Sequence, residues 1–319
     1  MQTTVLDAAA ETSIAQAVDL LRAGEVVALP TETVYGLAGD ALNPLAVARI
    51  FEAKNRPHFD PLIIHVSGPA MLHEIAVADD PLVEKLIAAY WPGPLTLILP
   101  KRAIISDLVT SGSPLVAVRM PAHSVFRAVL EELGRPLAAP SANPFGRISP
   151  TEAAHVFEGL RGRIPLILDG GKCAHGLEST IVYSENGTLH ILRDGPISVE
   201  ELSRFAPIQH RRSEASAAAP GQLETHYAPR KPLLLVDSVS EISEKSTAGL
   251  LAFRSAPAGF GSLEILSAEG DLVEAAANLF AALHRLDAAP VSVLYAEKLP
   301  REGLGRAIMD RLARASAKR

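Results

Sequence analysis

Short apolar runs separated by helical patterns and turn residues recur along this chain. That alternation limits its fold more than any other feature. Val26–Leu29, Leu62–Val66, Leu95–Leu99, Leu115–Arg119, Leu166–Asp169, Thr180–Tyr183 and Leu189–Leu192 read as strands, being short, apolar and bounded by polar or turn residues. Between them, Asn43 followed by Pro44 is a helix start: the asparagine side chain caps the first turn and proline suits it. Leu45, Ala48, Ile50 and Phe51 then supply an apolar face. Ser198 with Glu201 three residues on forms a capping box for another helix. Strands alternating with helices predict an α/β architecture.

From about Ile208 to Pro229 the pattern breaks, and the run Ser213 to Gly221 is small, polar and without periodicity, as a linker would be. Beyond it, strands at Pro232–Val236, Gly249–Phe253 and Val291–Ala296 alternate with helices at Asp271–Leu286 and Leu304–Ala315. The expected division is therefore a first domain over 1–207, a linker or lid over 208–229, and a smaller, mostly parallel α/β domain over 230–319. The chain's 319 residues suit two domains, and the 48% hydrophobic content can fill both cores. A net charge of -6 argues against a protein whose task is to coat nucleic acid. The single cysteine, Cys173, excludes an internal disulfide, makes a cysteine zinc site untenable and fits a reducing cytoplasm. Asp7 and Glu11 sit where a signal peptide would be basic, and no apolar stretch approaches the roughly 18 residues of a membrane helix.

The chemistry gathers at strand ends. Pro30 to Leu37, P-T-E-T-V-Y-G-L, follows a strand and places the hydroxyls of Thr31 and Thr33 where a small polar ligand can meet them. Lys54 and Arg56 stand two apart before a proline, which favours extended backbone and would aim both cations the same way, toward an anion. Arg119 and Arg193 each close an apolar strand, at the sheet rim where α/β folds place ligands. Ser141 and Asn143 follow another strand in A-A-P-S-A-N-P-F-G-R-I-S, and Ser179 and Thr180 lie at the start of the next. Read blandly, these are turn residues and solvated surface charges. There is no G-x-x-x-x-G-K-[ST] loop and no H-E-x-x-H helix, and Gly303-Leu304-Gly305 lacks a third glycine. No Ser-His-Asp or Cys-His pairing stands out either. In combination, the rim residues describe a polyanion pocket that works by positioning and charge stabilisation.

P-T-E-T-V-Y-G-L, K-N-R-P with P-L-I-I-H, W-P-G-P-L-T from Trp91, V-R-M-P from Val118, A-P-S-A-N and E-S-T-I-V occur in that order, over about residues 10 to 205. Together they resemble the YrdC-like threonylcarbamoyl-adenylate synthases. His226-Tyr227-Ala228-Pro229 and the α/β pattern after it are similar to the long form of that family. The resemblance implies a twisted mixed sheet with helices around an open, positively lined cavity, plus a smaller Rossmann-like domain. It implies a threonine site at Thr33, His65, Arg119, Ala139 and Ser179. It implies a nucleotide site at Lys54, Arg56, Asp60, Leu115, Ser141, Asn143, Ser149 and Arg193, covered by a linker through His226 and Tyr227. Lys54, Arg56 and Arg193 would carry the catalytic charge. Magnesium would arrive on the phosphates of ATP rather than in a protein cage.

The implied reaction joins L-threonine, bicarbonate and ATP into threonylcarbamoyl-AMP. The product would pass to a complex that modifies tRNA next to the anticodon, with direct tRNA binding left open. The sequence departs from the family pattern twice: Asp194 follows Arg193 where proline is common, and Gln222, Leu223 and Glu224 stand where the linker commonly reads M-K-Y. Two rival readings are a carbamoyl-transfer maturation enzyme, whose zinc modules one cysteine cannot supply, and a non-catalytic RNA-binding protein, which the acidic balance disfavours.

Overall fold

The computed structural model describes residues 1–210, 220 and 226–317. Its larger sheet has eleven strands: β1 (Thr4–Asp7), β2 (Val27–Leu29), β3 (Gly36–Asp40), β4 (Ile63–His65), β5 (Leu95–Pro100), β6 (Leu115–Arg119), β7 (Leu137–Ala138), β8 (Leu166–Asp169), β9 (Thr180–Glu185), β10 (Thr188–Arg193) and β11 (Ile208–His210). They lie in the order β1-β8-β2-β3-β7-β4-β6-β5-β9-β10-β11. The sheet is mixed: β4 runs parallel to β6 and β5 to β9, while β3, β7 and β4 alternate in direction. The second sheet contains β12 (Leu233–Val236), β13 (Ala248–Ala252), β14 (Ser262–Ile265) and β15 (Val293–Glu297), all parallel, in the order β12-β15-β13-β14. The mixed and parallel sheets agree with the expected fold class.

The predicted helix starts are present. Asn43 accepts from the amide of Leu45 and opens Pro44–Lys54, and Ser198 and Glu201 form both halves of the capping box. Asp271 caps Leu272–Ala288, the long helix against the second sheet. Two readings change. Ile208–His210, at the start of the expected linker, adds a parallel strand to the open edge of β10. Lys54 and Arg56 do not share one extended stretch. Lys54 ends its helix and Asn55 turns the chain in the left-handed region at φ 51°, a conformation asparagine tolerates well.

The two sheets share packing. Val34, Ile148 and Leu177 of the first unit belong to the same apolar cluster as Leu279, Phe280 and Ile308 of the second. Gly176 allows the long helix to approach: a Cβ there would stand 2.5 Å from the Ala276 carbonyl oxygen, and its φ of 66° adds strain for any side chain. His155 and His284 stack across the same boundary, their rings 3.9 Å apart.

Candidate active site

Register brings the rim residues together. His65 ends β4 and pairs with Arg119 at the end of β6, and Arg119 pairs with Thr96 of β5. Ser179 directly precedes β9 and shares a 2.7 Å hydrogen bond with the Thr96 hydroxyl. Arg193, at the end of β10, donates to the Ser179 carbonyl and hydroxyl, both at 3.0 Å. On the other side, Ala139 follows β7 and donates its amide to the Ile63 carbonyl. Five strands thus deliver their ends to one cleft, with about 530 Å³ of space between its walls and mouth.

The P-T-E-T turn closes one wall. Thr31 accepts from the amides of Thr33 and Val34, and its hydroxyl is 2.8 Å from that of Thr33. Arg119 donates to the Thr33 hydroxyl at 2.8 Å and to the Gly93 carbonyl at 3.1 Å, and forms an ion pair with Glu32 at 2.6 Å. His65 is buried, and burial together with the Arg119 charge pushes its imidazole down to about 3. The histidine is therefore neutral at physiological pH.

The opposite wall carries the remaining cations. Arg56 pairs with Asp60 at 2.9 Å and donates to the Asp60 and Pro61 carbonyls. Lys54 stands behind the wall, donating to the carbonyls of Ser141 and Asn143 at 2.5 and 2.6 Å. Burial first, and then Arg56, push its ammonium well below the usual lysine range. Among the described residues, neither Lys54 nor Arg193 has a carboxylate within ion-pair distance.

Of the expected threonine residues, Thr33, His65, Arg119, Ala139 and Ser179 all line the cleft. Of the expected nucleotide residues, Arg56, Ser141, Arg193, His226 and Tyr227 line it. Asp60 and Lys54 lie behind, holding a wall residue and a wall loop. Asn143 supports the same loop, donating to the Pro144 and Arg147 carbonyls. Leu115 sits at the far end of β6, packed in the cluster that contains the lining residue Ile63. Ser149 is buried and donates to Glu178 at 2.5 Å.

The cleft has contributors the motif analysis did not single out. Glu178, the first residue of the E-S-T-I-V run, lines it, and Glu32 grips Arg119 from behind. Arg311 reaches Glu178 from 133 residues away, a distance no motif spans.

His226 and Tyr227 form a cap. The Ala228 amide bonds the Gly146 carbonyl, the His226 amide bonds Arg314, and the Tyr227 ring packs on Phe280. Tyr227 has φ 63°, unusual for a bulky residue and held by these contacts. Burial and the charges of Arg56, Lys54, Arg193 and Arg311 push the His226 imidazole well below its usual range. Burial is the larger cause, and the four neighbouring cations add to it. Pro220 also reaches it, accepting from Arg193 at 3.4 Å. Residues 211–219 and 221–225, with most of the expected linker and its three departures, lie outside the described residues.

A mixed sheet whose rim turns buried arginines and hydroxyls into one capped cleft defines a site for a small, multiply charged ligand. Residues 19–195 match the Sua5, YciO and YrdC family, described as telomere recombination, and residues 197–317 match the threonylcarbamoyl-AMP synthase C-terminal domain. The chain is 40% identical to the threonylcarbamoyl-AMP synthase of Pyrococcus abyssi, across 97% of this chain and 95% of that one. It is also 40% identical to that of Bacillus subtilis, across 96% and 93%. The crystal structure of P. abyssi Sua5 complexed with L-threonine superimposes with a TM-score of 0.89 at 37% identity, covering 99% of this chain and 97% of that one. The chain belongs to the threonylcarbamoyl-AMP synthase family, in its long form. Among the described residues, no helix is long and apolar enough to cross a membrane.

Proposed function

We propose that the cleft binds L-threonine and ATP side by side and, with bicarbonate, forms threonylcarbamoyl-AMP and pyrophosphate. The observation that carries this reading is the buried cationic wall. Arg56, Arg119 and Arg193 are 6, 3 and 8% exposed, so a small anion can reach them but a polymer backbone cannot. That favours a nucleotide over RNA as the occupant.

In this reading Arg119, already bonded to Thr33, receives the threonine carboxylate, and Thr33 and Ser179 face its hydroxyl and amine. The amine takes up carbon dioxide or bicarbonate as a carbamate, whose oxygen attacks the α-phosphorus while pyrophosphate leaves. No protein nucleophile is required. Arg56 and Arg193 offset charge growing on the phosphates, and Lys54 holds the Ser141–Asn143 loop against them. The His226–Tyr227 cap keeps water from a readily hydrolysed product.

Among the described residues, no group of three or more histidines, cysteines, aspartates or glutamates could hold a metal. Asp60, Glu32 and Glu178 each face an arginine. A magnesium ion would therefore ride on the phosphates, where it adds charge neutralisation. The product would go to a tRNA threonylcarbamoyl-transfer complex. The single, buried Cys173 supports a cytoplasmic setting. Pyrophosphate release from ATP, with threonine and bicarbonate omitted in turn, tests the reading. Release must require both, and release with neither present would reject it.

A further inference from the structure

Arg311 is 0% exposed and lies in the helix Leu304–Ser316, against the second sheet. Its guanidinium nevertheless leaves that layer. Nε donates to Glu178 at 2.8 Å and one terminal nitrogen to the Asp194 carbonyl at 2.9 Å. The other pairs with Asp310 at 2.9 Å, and the group lies 5.3 Å from the centre of the Tyr227 ring. Glu178 uses its second oxygen to accept from Ser149. One side chain therefore touches the cap, the residue after Arg193, and the carboxylate that holds Ser149.

A buried ion pair adds little stability beyond an apolar pair of the same volume. What it adds is direction, because the planar guanidinium holds Glu178, Asp310 and the Asp194 carbonyl at fixed angles to one another, which a lysine could not. We propose that Arg311 is a positioning residue for the nucleotide half of the cleft. Through Glu178 it sets the Ser149 hydroxyl, and through the Asp194 carbonyl it steadies the strand end that carries Arg193. The helix Leu304–Ser316 is thus part of the active site, and the second domain completes the cleft rather than accompanying it. Asp194 fits this role, because its carbonyl serves the contact and its side chain is not needed. The inference rests on the reading of Ser149, Arg193 and Tyr227 as the nucleotide side.

The test is calorimetric binding of ATP and, separately, L-threonine to the full chain and to Arg311→Lys, Arg311→Met, Glu178→Gln and the Glu178→Gln/Arg311→Met double variant. Arg311→Lys keeps the charge but loses the fork and should weaken ATP about tenfold, with Arg311→Met weaker still. Threonine affinity should stay within about threefold, which also reports that each variant is folded. The double variant should bind ATP no worse than Arg311→Met alone, because both changes break one relay. Equal losses for both ligands, or additive losses in the double variant, would overturn the role. If Arg311→Met does not fold, Arg311→Lys decides. A wild-type chain that bound no ATP would overturn the underlying reading and this role with it. Wild-type ATP binding unchanged in the Arg311 variants would overturn this role alone.

Discussion

Glu32 holds Arg119 at 2.6 Å, so the arginine proposed to meet the threonine carboxylate is already paired from behind. Burial, the largest single influence, raises the glutamate's affinity for a proton, but the charge and hydrogen bond of Arg119, with backbone amides, together hold the carboxyl below its usual range. The pair keeps Arg119 aimed into the cleft while no substrate is present.

Glu32→Gln should therefore destabilise the free protein by about 3 kcal/mol, because it leaves a buried guanidinium without its counter-charge. In the proposed site threonine supplies a carboxylate to that group, so the rise in melting temperature on adding threonine should be larger for the variant than for the wild type. Thermal unfolding with and without threonine measures this. An equal or smaller rise would mean that Arg119 does not meet the substrate carboxylate.

Lys54→Met separates stability from activity. The ammonium is buried beside Arg56 with carbonyl partners only among the described residues, an arrangement that strains the free protein. Turnover should fall about thirty- to a thousand-fold, corresponding to roughly 2–4 kcal/mol of barrier, as loop support and charge are lost. Unfolding in urea should show unchanged or increased stability. Near-wild-type pyrophosphate release would remove Lys54 from the machinery.

Acid should weaken the fold through its buried histidines. His65 and His284 are pushed to about 3, His65 by burial and Arg119, His284 by burial and His155. Their folded pKa lies below the unfolded value of about 6.5, so between those limits the unfolded chain binds the extra proton. Stability is full above about pH 6.5 and falls as pH drops toward 3. At pH 5 each imidazole should account for a loss of about 2 kcal/mol. Comparing urea midpoints at pH 7.5 and 5 checks this, and His284→Gln should recover about one histidine's share. A pH-independent midpoint would contradict the burial of both rings.

A fragment of residues 1–210 should be inactive and prone to associate. It would expose Val34, Ile148 and Leu177, which pack with Leu279 and Phe280, and would leave Glu178 without Arg311. Size-exclusion chromatography and pyrophosphate release test both consequences. A monomeric, fully active fragment would confine catalysis to the first sheet.

The sequence made the rim visible because strand ends are marked by a change from apolar to polar residues. Arg119 and Arg193 each close an apolar run, and their approach follows from strand order. Gly36–Asp40 was harder to see: its glycines and aspartate look like a turn, yet all five residues are buried in the middle of the sheet. Leu137–Ala138 is too short to show a period. The Lys54–Arg56 geometry depended on one left-handed residue, Asn55, which alternation does not reveal. Arg311 was invisible for a different reason. Within its own helix it resembles a solvated charge among other arginines, and only the docking of two units buries it.

The strand order also governs how such a molecule assembles. The first strand finds its partner only at β8, and Thr3 bonds the Ile164 carbonyl across 161 residues. Such contacts require long loops to close before they return any stabilisation, so folding should be slow for a chain of this length. Until β8 exists, β2 has an open edge, and the partly made sheet is the form most exposed to aggregation. Expression should accordingly improve at lower temperature or with added chaperone, where the unfinished sheet has time to find β8.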